Sequence, residues 1–97
     1  MSRYDLTARA AADLREIVGY TKQTWGIEQA RHYREELEVA LQKLSLMPDV
    51  GRQREALASG VRSFRVAAHI AFYVQRQDGI TILRLLHPSM DVDAAFG

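Results

Sequence analysis

The amino-acid sequence predicts an α+β domain in which a short N-terminal strand and an α-helical hairpin pack on a small β-sheet. Two long stretches with apolar residues at helical spacing come first, and little more than Gly26 separates them. Three stretches with alternating or continuous apolar residues fill the second half. A pair of helices cannot bury both of its apolar stripes alone, so the hairpin needs the sheet to lie on. The length of 97 residues fits a single domain spanning 1–97.

The N-terminal segment SRYDL, residues 2–6, alternates polar and apolar side chains and predicts a short strand. Thr7 suits the N-cap of the first helix, because its hydroxyl can accept a hydrogen bond from a free backbone N–H of the first turn. The helix is expected to end at Gly26, since glycine adopts left-handed backbone conformations at low cost. Asp13 is expected near the solvent-facing side. The apolar stripe comprises Ala10, Leu14, Ile17, Val18, Thr21 and Trp25.

The second helix is expected to begin directly after Gly26 and to end around Leu46 and Met47, because the residue before Pro48 disfavours helical backbone. The short connection predicts an antiparallel helical hairpin. Residues 47–60 contain one proline and two glycines and predict an irregular loop. The apolar stripe of this helix comprises Ala30, Tyr33, Leu37, Ala40, Leu41 and Leu44.

The second half predicts three strands. Apolar and polar residues alternate in VRSFRVA, residues 61–67, and in HIAFYVQ, residues 69–75. Asp78-Gly79 predicts a two-residue type I′ hairpin turn. The next segment, ITILRLLH, is apolar on both sides, which is typical of a strand covered on both faces. One cover is the helical hairpin, and a partner chain is the candidate for the other. Ile80 and Ile82 are expected on one face of this strand, and Leu83 and Leu85 on the other.

Composition excludes several kinds of site and environment. The chain has no cysteine, which excludes disulfides and cysteine-based zinc sites. The three histidines, at positions 32, 69 and 87, do not have metal-ligand spacing, so we expect no metal and no other cofactor. No apolar run approaches the roughly 20 residues that span a bilayer, and the N-terminus has charges where a signal peptide needs apolar residues. We therefore expect a soluble cytoplasmic protein that does not bind membranes.

Positive charge is concentrated in the second half, although the net charge is only +1. Residues 52–84 contain six arginines but only Glu55 and Asp78 as acidic residues. The rigid guanidinium fork suits carboxylates and phosphates. This half therefore predicts a basic surface for an acidic protein partner or for nucleic acid, with an ordinary solvated surface as the alternative. Arg84 lies in an apolar strand, where burial would require a carboxylate partner such as Asp91 or one from another chain.

The chain resembles the ParE toxins of bacterial toxin–antitoxin modules, within the RelE/ParE superfamily. The resemblance runs from Tyr4 to Asp91 through an ordered series of segments: YDLTARAAADLREIVGYT, WGIEQARHY, MPDVGR, GVRSFRVAAHIAFYV and ILRLLHPSMD. It implies an α-helical hairpin packed on a small twisted antiparallel β-sheet. It also implies a cognate ParD-like antitoxin, with a ribbon-helix-helix DNA-binding half and an acidic tail that wraps the toxin. The two chains would form a hetero-oligomer that contacts DNA only through the antitoxin.

The resemblance leaves the activity open, because ParE-like toxins poison DNA gyrase whereas RelE-like toxins cut mRNA on the ribosome. RNA cleavage needs a base, an acid and a cationic clamp. The candidates for these roles are His87, Tyr73, Arg65 and Arg84, with Arg65 and Tyr73 expected to share a face. The tail after His87, PSMDVDAAFG, has no Lys, Arg or Tyr, and its two aspartates would repel a phosphate backbone. We therefore expect a gyrase-binding toxin rather than an enzyme. The alternatives are a ribosome-dependent endoribonuclease and a non-toxic member that only co-regulates its operon.

Several side chains have both a functional and a structural interpretation. Histidine is the residue type best suited to acid–base chemistry near neutral pH, so His87 could serve in catalysis, but it could also be a polar residue that ends a strand. Trp25 is expected to be an anchor in the core or at the end of the hairpin. The residues Tyr4, Tyr20 and Tyr33 are expected to pack rather than stack on bases. The residues expected to contact the antitoxin or the target are Arg62, Arg65, Tyr73, Arg84 and His87.

Overall fold

The computed structural model describes residues 3–96, so Ser2 of the first predicted strand lies outside the described residues. No helix in this part of the chain is both long and apolar enough to cross a membrane. The elements are β1 (Arg3–Leu6), α1 (Ala8–Trp25), α2 (Ile27–Leu46), β2 (Arg52–Gln53), β3 (Arg62–Val66), β4 (His69–Arg76), β5 (Gly79–Leu86) and α3 (Val92–Phe96).

The strands form one five-stranded sheet in the order β1-β5-β4-β3-β2. The pairs β2–β3, β3–β4 and β4–β5 are antiparallel, as predicted for the C-terminal strands. The pair β1–β5 is parallel, so the sheet as a whole is mixed. Parallel pairing is available to β1 because a long connection through both helices, rather than a tight hairpin, separates it from its neighbour. The short strand β2 lies in the loop that was predicted to be irregular.

Both predicted ends of α1 are confirmed. The hydroxyl of Thr7 accepts a hydrogen bond from the Ala10 N–H at 3.1 Å, which satisfies one free donor of the first turn. Gly26 has φ 94°, and its N–H donates to the Lys22 carbonyl at 2.9 Å. This positive φ favours glycine and lets the chain enter α2 at the next residue. The helical hairpin is therefore set by local sequence signals.

The turn between β4 and β5 differs from the prediction. Its two residues are Gln77 and Asp78, because Arg76 pairs with Gly79. Neither turn residue has positive φ, so the type I′ assignment is wrong. Gly79 instead begins β5, where a Cβ atom would collide with the backbone of Arg3 in β1. The glycine is therefore needed for the close approach of the two strands rather than for the turn.

The main core lies between the helical hairpin and one face of the sheet. A second, smaller core lies on the other face, where the chain's own loop and α3 cover part of the surface that was predicted to meet a partner chain. The Phe96 ring of α3 meets the Phe72 ring edge-on, with centroids 5.2 Å apart. Buried residues of the main core are Ala10, Leu37, Leu41, Leu44, Val66, Ala71, Tyr73, Ile80, Ile82 and Leu85. The second core contains Val61, Phe72 and Leu86, with Leu57, Ile70, Val74, Leu83, Val92, Ala95 and Phe96 packed against it.

A β-bulge changes which apolar residues of β5 face the helices. The pairing passes from Phe72 with Arg84 to Tyr73 with Ile82, so Leu83 is an extra residue on β5. Leu85 consequently joins Ile82 in the main core, and Leu83 packs in the second core. The expectation that Leu83 and Leu85 share a face is therefore wrong, because it assumed uninterrupted alternation.

Candidate functional site

Tyr73 is fully buried beneath the loop that follows α2. Its hydroxyl donates to the Pro48 carbonyl and accepts from the Gly51 N–H, both at 2.9 Å. Burial raises the pKa of the phenol, and the hydrogen bond from Gly51 opposes that rise. Direct contact with a partner, expected from the sequence, is contradicted by this burial. Tyr73 anchors the loop to the sheet instead.

Arg84 is also internal, and its carboxylate partner is Asp13 rather than Asp91 or another chain. The guanidinium donates from Nε to Asp13 Oδ2 at 2.8 Å and from Nη2 to Oδ1 at 3.0 Å. Only 12% of the Arg84 side chain and 11% of the Asp13 side chain are exposed. The hydrogen bonds to Asp13 raise the pKa of Arg84 against the opposing effect of burial. The placement of Asp13 on the solvent-facing side of α1 is therefore wrong.

Asp13 also accepts a hydrogen bond from a backbone N–H of β5 that β1 does not reach. β1 pairs with β5 only as far as Ile82, and the Leu85 N–H beyond that point donates to Asp13 Oδ2 at 3.0 Å. Arg84 Nη1 donates to the Ala95 carbonyl of α3 at 2.7 Å. The buried pair thus joins α1, β5 and α3, which is a structural role rather than a docking role.

Arg62 and Arg65 lie on opposite faces of the sheet, because directly paired residues share a face. Arg62 pairs with Tyr73 on the helical side, and its Nη1 donates to the Asp49 and Gly51 carbonyls at 3.1 and 2.8 Å. Arg65 pairs with Ile70, which packs in the second core. The expectation that Arg65 and Tyr73 share a face is therefore wrong. Arg62 helps hold the loop, whereas Arg65 is exposed.

Four arginines lie on the face of the sheet that is turned away from the helical hairpin, and we call them the arginine face. Arg52 pairs with Ser63, which in turn pairs with Phe72 of the second core. The Arg54 guanidinium lies 5.7 Å from the centroid of the Phe72 ring, and its Nε donates to Ser63 Oγ at 2.9 Å. All but the half-buried Arg54 are exposed. The members are Arg52, Arg54, Arg65 and Arg76.

His87 lies beside a second histidine. The rings of His69 and His87 meet edge-on, with centroids 5.8 Å apart. The Tyr33 hydroxyl accepts from the Ala68 N–H at 2.9 Å and lies 2.7 Å from His69 Nδ1, to which it can donate its hydrogen. His87 Nδ1 accepts from the Ser89 N–H at 3.1 Å. Within residues 3–96, no group of three or more His, Cys, Asp or Glu is arranged to hold a metal ion.

The two histidines form one wall of a groove of about 820 Å³, which we call the aromatic groove. Trp25 and Tyr20 line the groove, and 70% and 68% of their respective surfaces are exposed. The predictions that Trp25 lies in the core and that Tyr20 is packed are therefore wrong. Sequence reasoning missed this groove, although aromatic residues near Gly26 were an available signal. The lining residues are Glu16, Ile17, Tyr20, Thr21, Trp25, Gln29, Tyr33, Ala68, His69 and His87.

The half-buried position of His69 predicts a pH-dependent contribution to stability. Its pKa is lowered by burial first, and then by the positive charge of His87 and Arg65. The unfolded chain therefore binds the proton at higher pH than the folded chain, so stability falls as pH drops below about 6.5 towards the folded pKa. We expect the urea midpoint to fall less between pH 7.5 and pH 5.5 in His69→Asn than in the parent protein. The asparagine amide oxygen can still accept a hydrogen bond from Tyr33. Equal losses in both proteins would contradict this prediction.

Known proteins match the chain over nearly its whole length. The family model described as the ParE toxin of type II toxin–antitoxin systems, parDE, matches residues 4–92. Toxin ParE1 of Caulobacter vibrioides is 37% identical over 97 residues, which cover 100% of both chains. Toxin ParE1 of Mycobacterium tuberculosis is 38% identical over 93 residues, or 95% of each chain. A solved structure of a chromosomal ParDE system from P. aeruginosa has a TM-score of 0.75 and 25% identity, covering 90% of this chain and 96% of that one.

Proposed function

Because this chain belongs to the ParE toxin family of type II toxin–antitoxin systems, we propose that it arrests growth by binding and poisoning DNA gyrase, without catalysis of its own. Binding is favoured over RNA cleavage by one observation: the side chains that would have to share an active site do not converge. The toxin would act in the cytoplasm, where gyrase and the antitoxin are found.

The four candidates for ribonuclease chemistry are each placed unfavourably for it. Tyr73 and Arg65 lie on opposite faces of the sheet. The Arg84 guanidinium is already hydrogen-bonded to Asp13 and to the Ala95 carbonyl, which leaves it poorly placed to clamp a phosphate. His87 is exposed, and its ring meets the ring of His69. A ribosome-dependent endoribonuclease therefore remains the second candidate, and a non-toxic co-regulator of the operon the third.

A cognate ParD-like antitoxin would neutralise the toxin by laying an acidic tail across the arginine face. Charge complementarity supports this placement, because three of the four arginines are exposed on one side of the sheet. Half-buried Ile70, Val74 and Leu83 lie on the same side and would supply apolar contact area. The antitoxin would bring its own ribbon-helix-helix half to DNA, so this chain would contact DNA only through the hetero-oligomer.

Two parallel assays test the proposed target. Purified protein is added to a gyrase supercoiling reaction and, separately, to a translating extract that contains labelled mRNA. We expect loss of supercoiling or gyrase-linked DNA breaks in the first assay and intact mRNA in the second. Discrete mRNA cuts with normal supercoiling would support the endoribonuclease instead. No effect in either assay, together with tight antitoxin binding, would support the non-toxic co-regulator.

Charge reversal on the arginine face tests the antitoxin site. The double variant Arg52→Glu/Arg65→Glu is expected to bind the antitoxin at least about tenfold more weakly, chiefly through slower association, and the difference should shrink at high salt. The matched control is Arg9→Glu/Arg15→Glu, which makes the same change of charge at exposed positions of α1. Equal weakening in the two double variants would indicate a general charge effect and contradict the proposed site.

A further inference from the structure

The aromatic groove exposes two large aromatic side chains that the folded chain leaves uncovered. Trp25 ends α1, and Tyr20 lies five residues earlier on the same helix; more than two thirds of each is exposed. A buried aromatic side chain removes roughly 150–250 Å² from water, so covering both would be strongly favourable. Exposed Trp and Tyr around a concave apolar surface are typical of protein-binding sites.

Hydrogen bonds hold the far wall of the groove in place. The Tyr33 hydroxyl joins α2 to the β3–β4 turn through the Ala68 N–H and to His69 through Nδ1. His87, just after β5, is tied to Ser89 by two contacts to its Nδ1, at 2.7 and 3.1 Å. A partner would therefore meet a wall whose side chains are already ordered, which reduces the entropic cost of binding.

The groove lining carries one acidic side chain, whereas the arginine face carries four cationic ones. Glu16 is the acidic residue in its lining, and the lining contains no lysine or arginine. Burial lowers the pKa of His69 and so favours the neutral ring at physiological pH. The carboxylates of an acidic antitoxin tail would be repelled by Glu16, whereas a lysine or arginine could pair with Glu16 and lie over the Trp25 or Tyr20 ring.

We propose that the aromatic groove docks a segment of the toxin's target protein in which an apolar side chain lies beside a lysine or arginine. The inference rests on the proposed function in one respect, since it requires that the toxin has a protein target. It adds that target binding and antitoxin binding use different surfaces. His87, expected from the sequence to contact a partner, would then contact the target.

Substitutions in the groove separate toxicity from antitoxin binding. Trp25→Ala and Glu16→Lys are each expected to need at least about tenfold more expressed protein to arrest growth, while their affinity for the antitoxin stays within about twofold. Glu16→Gln should have an intermediate effect, because it removes the attraction for a cation without adding repulsion. The matched controls are Val39→Ala and Glu35→Lys, exposed α2 positions outside the groove lining, and they should arrest growth as the parent does.

A direct readout uses the fact that Trp25 is the only tryptophan of the chain. Labelling with 5-fluorotryptophan gives one ¹⁹F resonance, which reports occupancy of the groove. We expect this resonance to shift or broaden when gyrase holoenzyme is added and to stay unchanged with the antitoxin. A shift caused by the antitoxin, or a loss of antitoxin affinity in Trp25→Ala, would overturn the assignment of the groove to the target.

The outcomes distinguish this inference from the proposed function. If the parent protein inhibits gyrase and Trp25→Ala inhibits it equally, the groove is not the target site but the gyrase proposal stands. If the parent protein leaves gyrase active and Trp25→Ala still abolishes growth arrest, the gyrase proposal fails and the groove binds another target. A parent protein that does not arrest growth would contradict both.

Discussion

Replacement of Asp13 by alanine is expected to lower the free energy of unfolding by about 3–5 kcal/mol, as is usual when one partner of a buried ion pair is removed. The substitution leaves the Arg84 guanidinium buried without its carboxylate and leaves the Leu85 N–H without its acceptor. A loss of this size is a large fraction of the total unfolding free energy of a small domain. The midpoint of urea denaturation should therefore fall sharply.

Two further variants identify the origin of the loss. The pair Arg34–Glu38 is an exposed counterpart, with N and O atoms 3.9 Å apart and side chains 58% and 46% exposed. Glu38→Ala should therefore change stability by no more than about 0.5 kcal/mol. The double variant Asp13→Leu/Arg84→Met should be more stable than Asp13→Ala, because it removes both charges. A loss below about 1 kcal/mol in Asp13→Ala would show that the pair is not buried in solution.

Tyr73→Ala is the second large effect we expect, with a loss of about 3–5 kcal/mol in the free energy of unfolding. The side chain is fully buried in the main core, and its hydroxyl joins β4 to the loop through Pro48 and Gly51. Removal of the ring leaves a cavity, and both loop groups lose their hydrogen-bond partner. The loop carries the carbonyls that Arg62 also binds, so that arginine should become more mobile as well.

Tyr73→Phe separates a structural role from a functional one. It keeps the ring and removes only the hydroxyl, so we expect a loss of about 1–3 kcal/mol. Growth arrest should persist at temperatures where this variant remains folded. Tyr20→Phe, which changes an exposed hydroxyl, should stay within about 0.5 kcal/mol of the parent. Loss of growth arrest in a fully folded Tyr73→Phe protein would indicate that the hydroxyl takes part in toxin action.

The contrast between Arg65 and Arg84 explains how far the candidate site could be predicted. Both arginines belong to the same basic half of the sequence. The apolar neighbours of Arg84 predicted that it would need a carboxylate partner, but they did not identify that partner. Arg65 is exposed, whereas Arg84 is enclosed by residues of α1 and α3. Its partner Asp13 is 71 residues away, a separation that no periodic pattern reports. The aromatic groove was missed for the same reason, since residues of α1, α2, β4 and the segment after β5 must meet to form it.

The sequence by itself determined the features that local physical chemistry controls. Apolar spacing predicted the two helices and the C-terminal strands, Thr7 and Gly26 marked the ends of α1, and the resemblance to ParE toxins followed from the order of segments. Tertiary structure decided the parallel pairing of β1, the bulge in β5 and the burial of Tyr73. The physical reason is that periodicity relates side chains within one element. Register, ion pairs and grooves depend on how separate elements pack, and that is settled by the free energy of the whole fold.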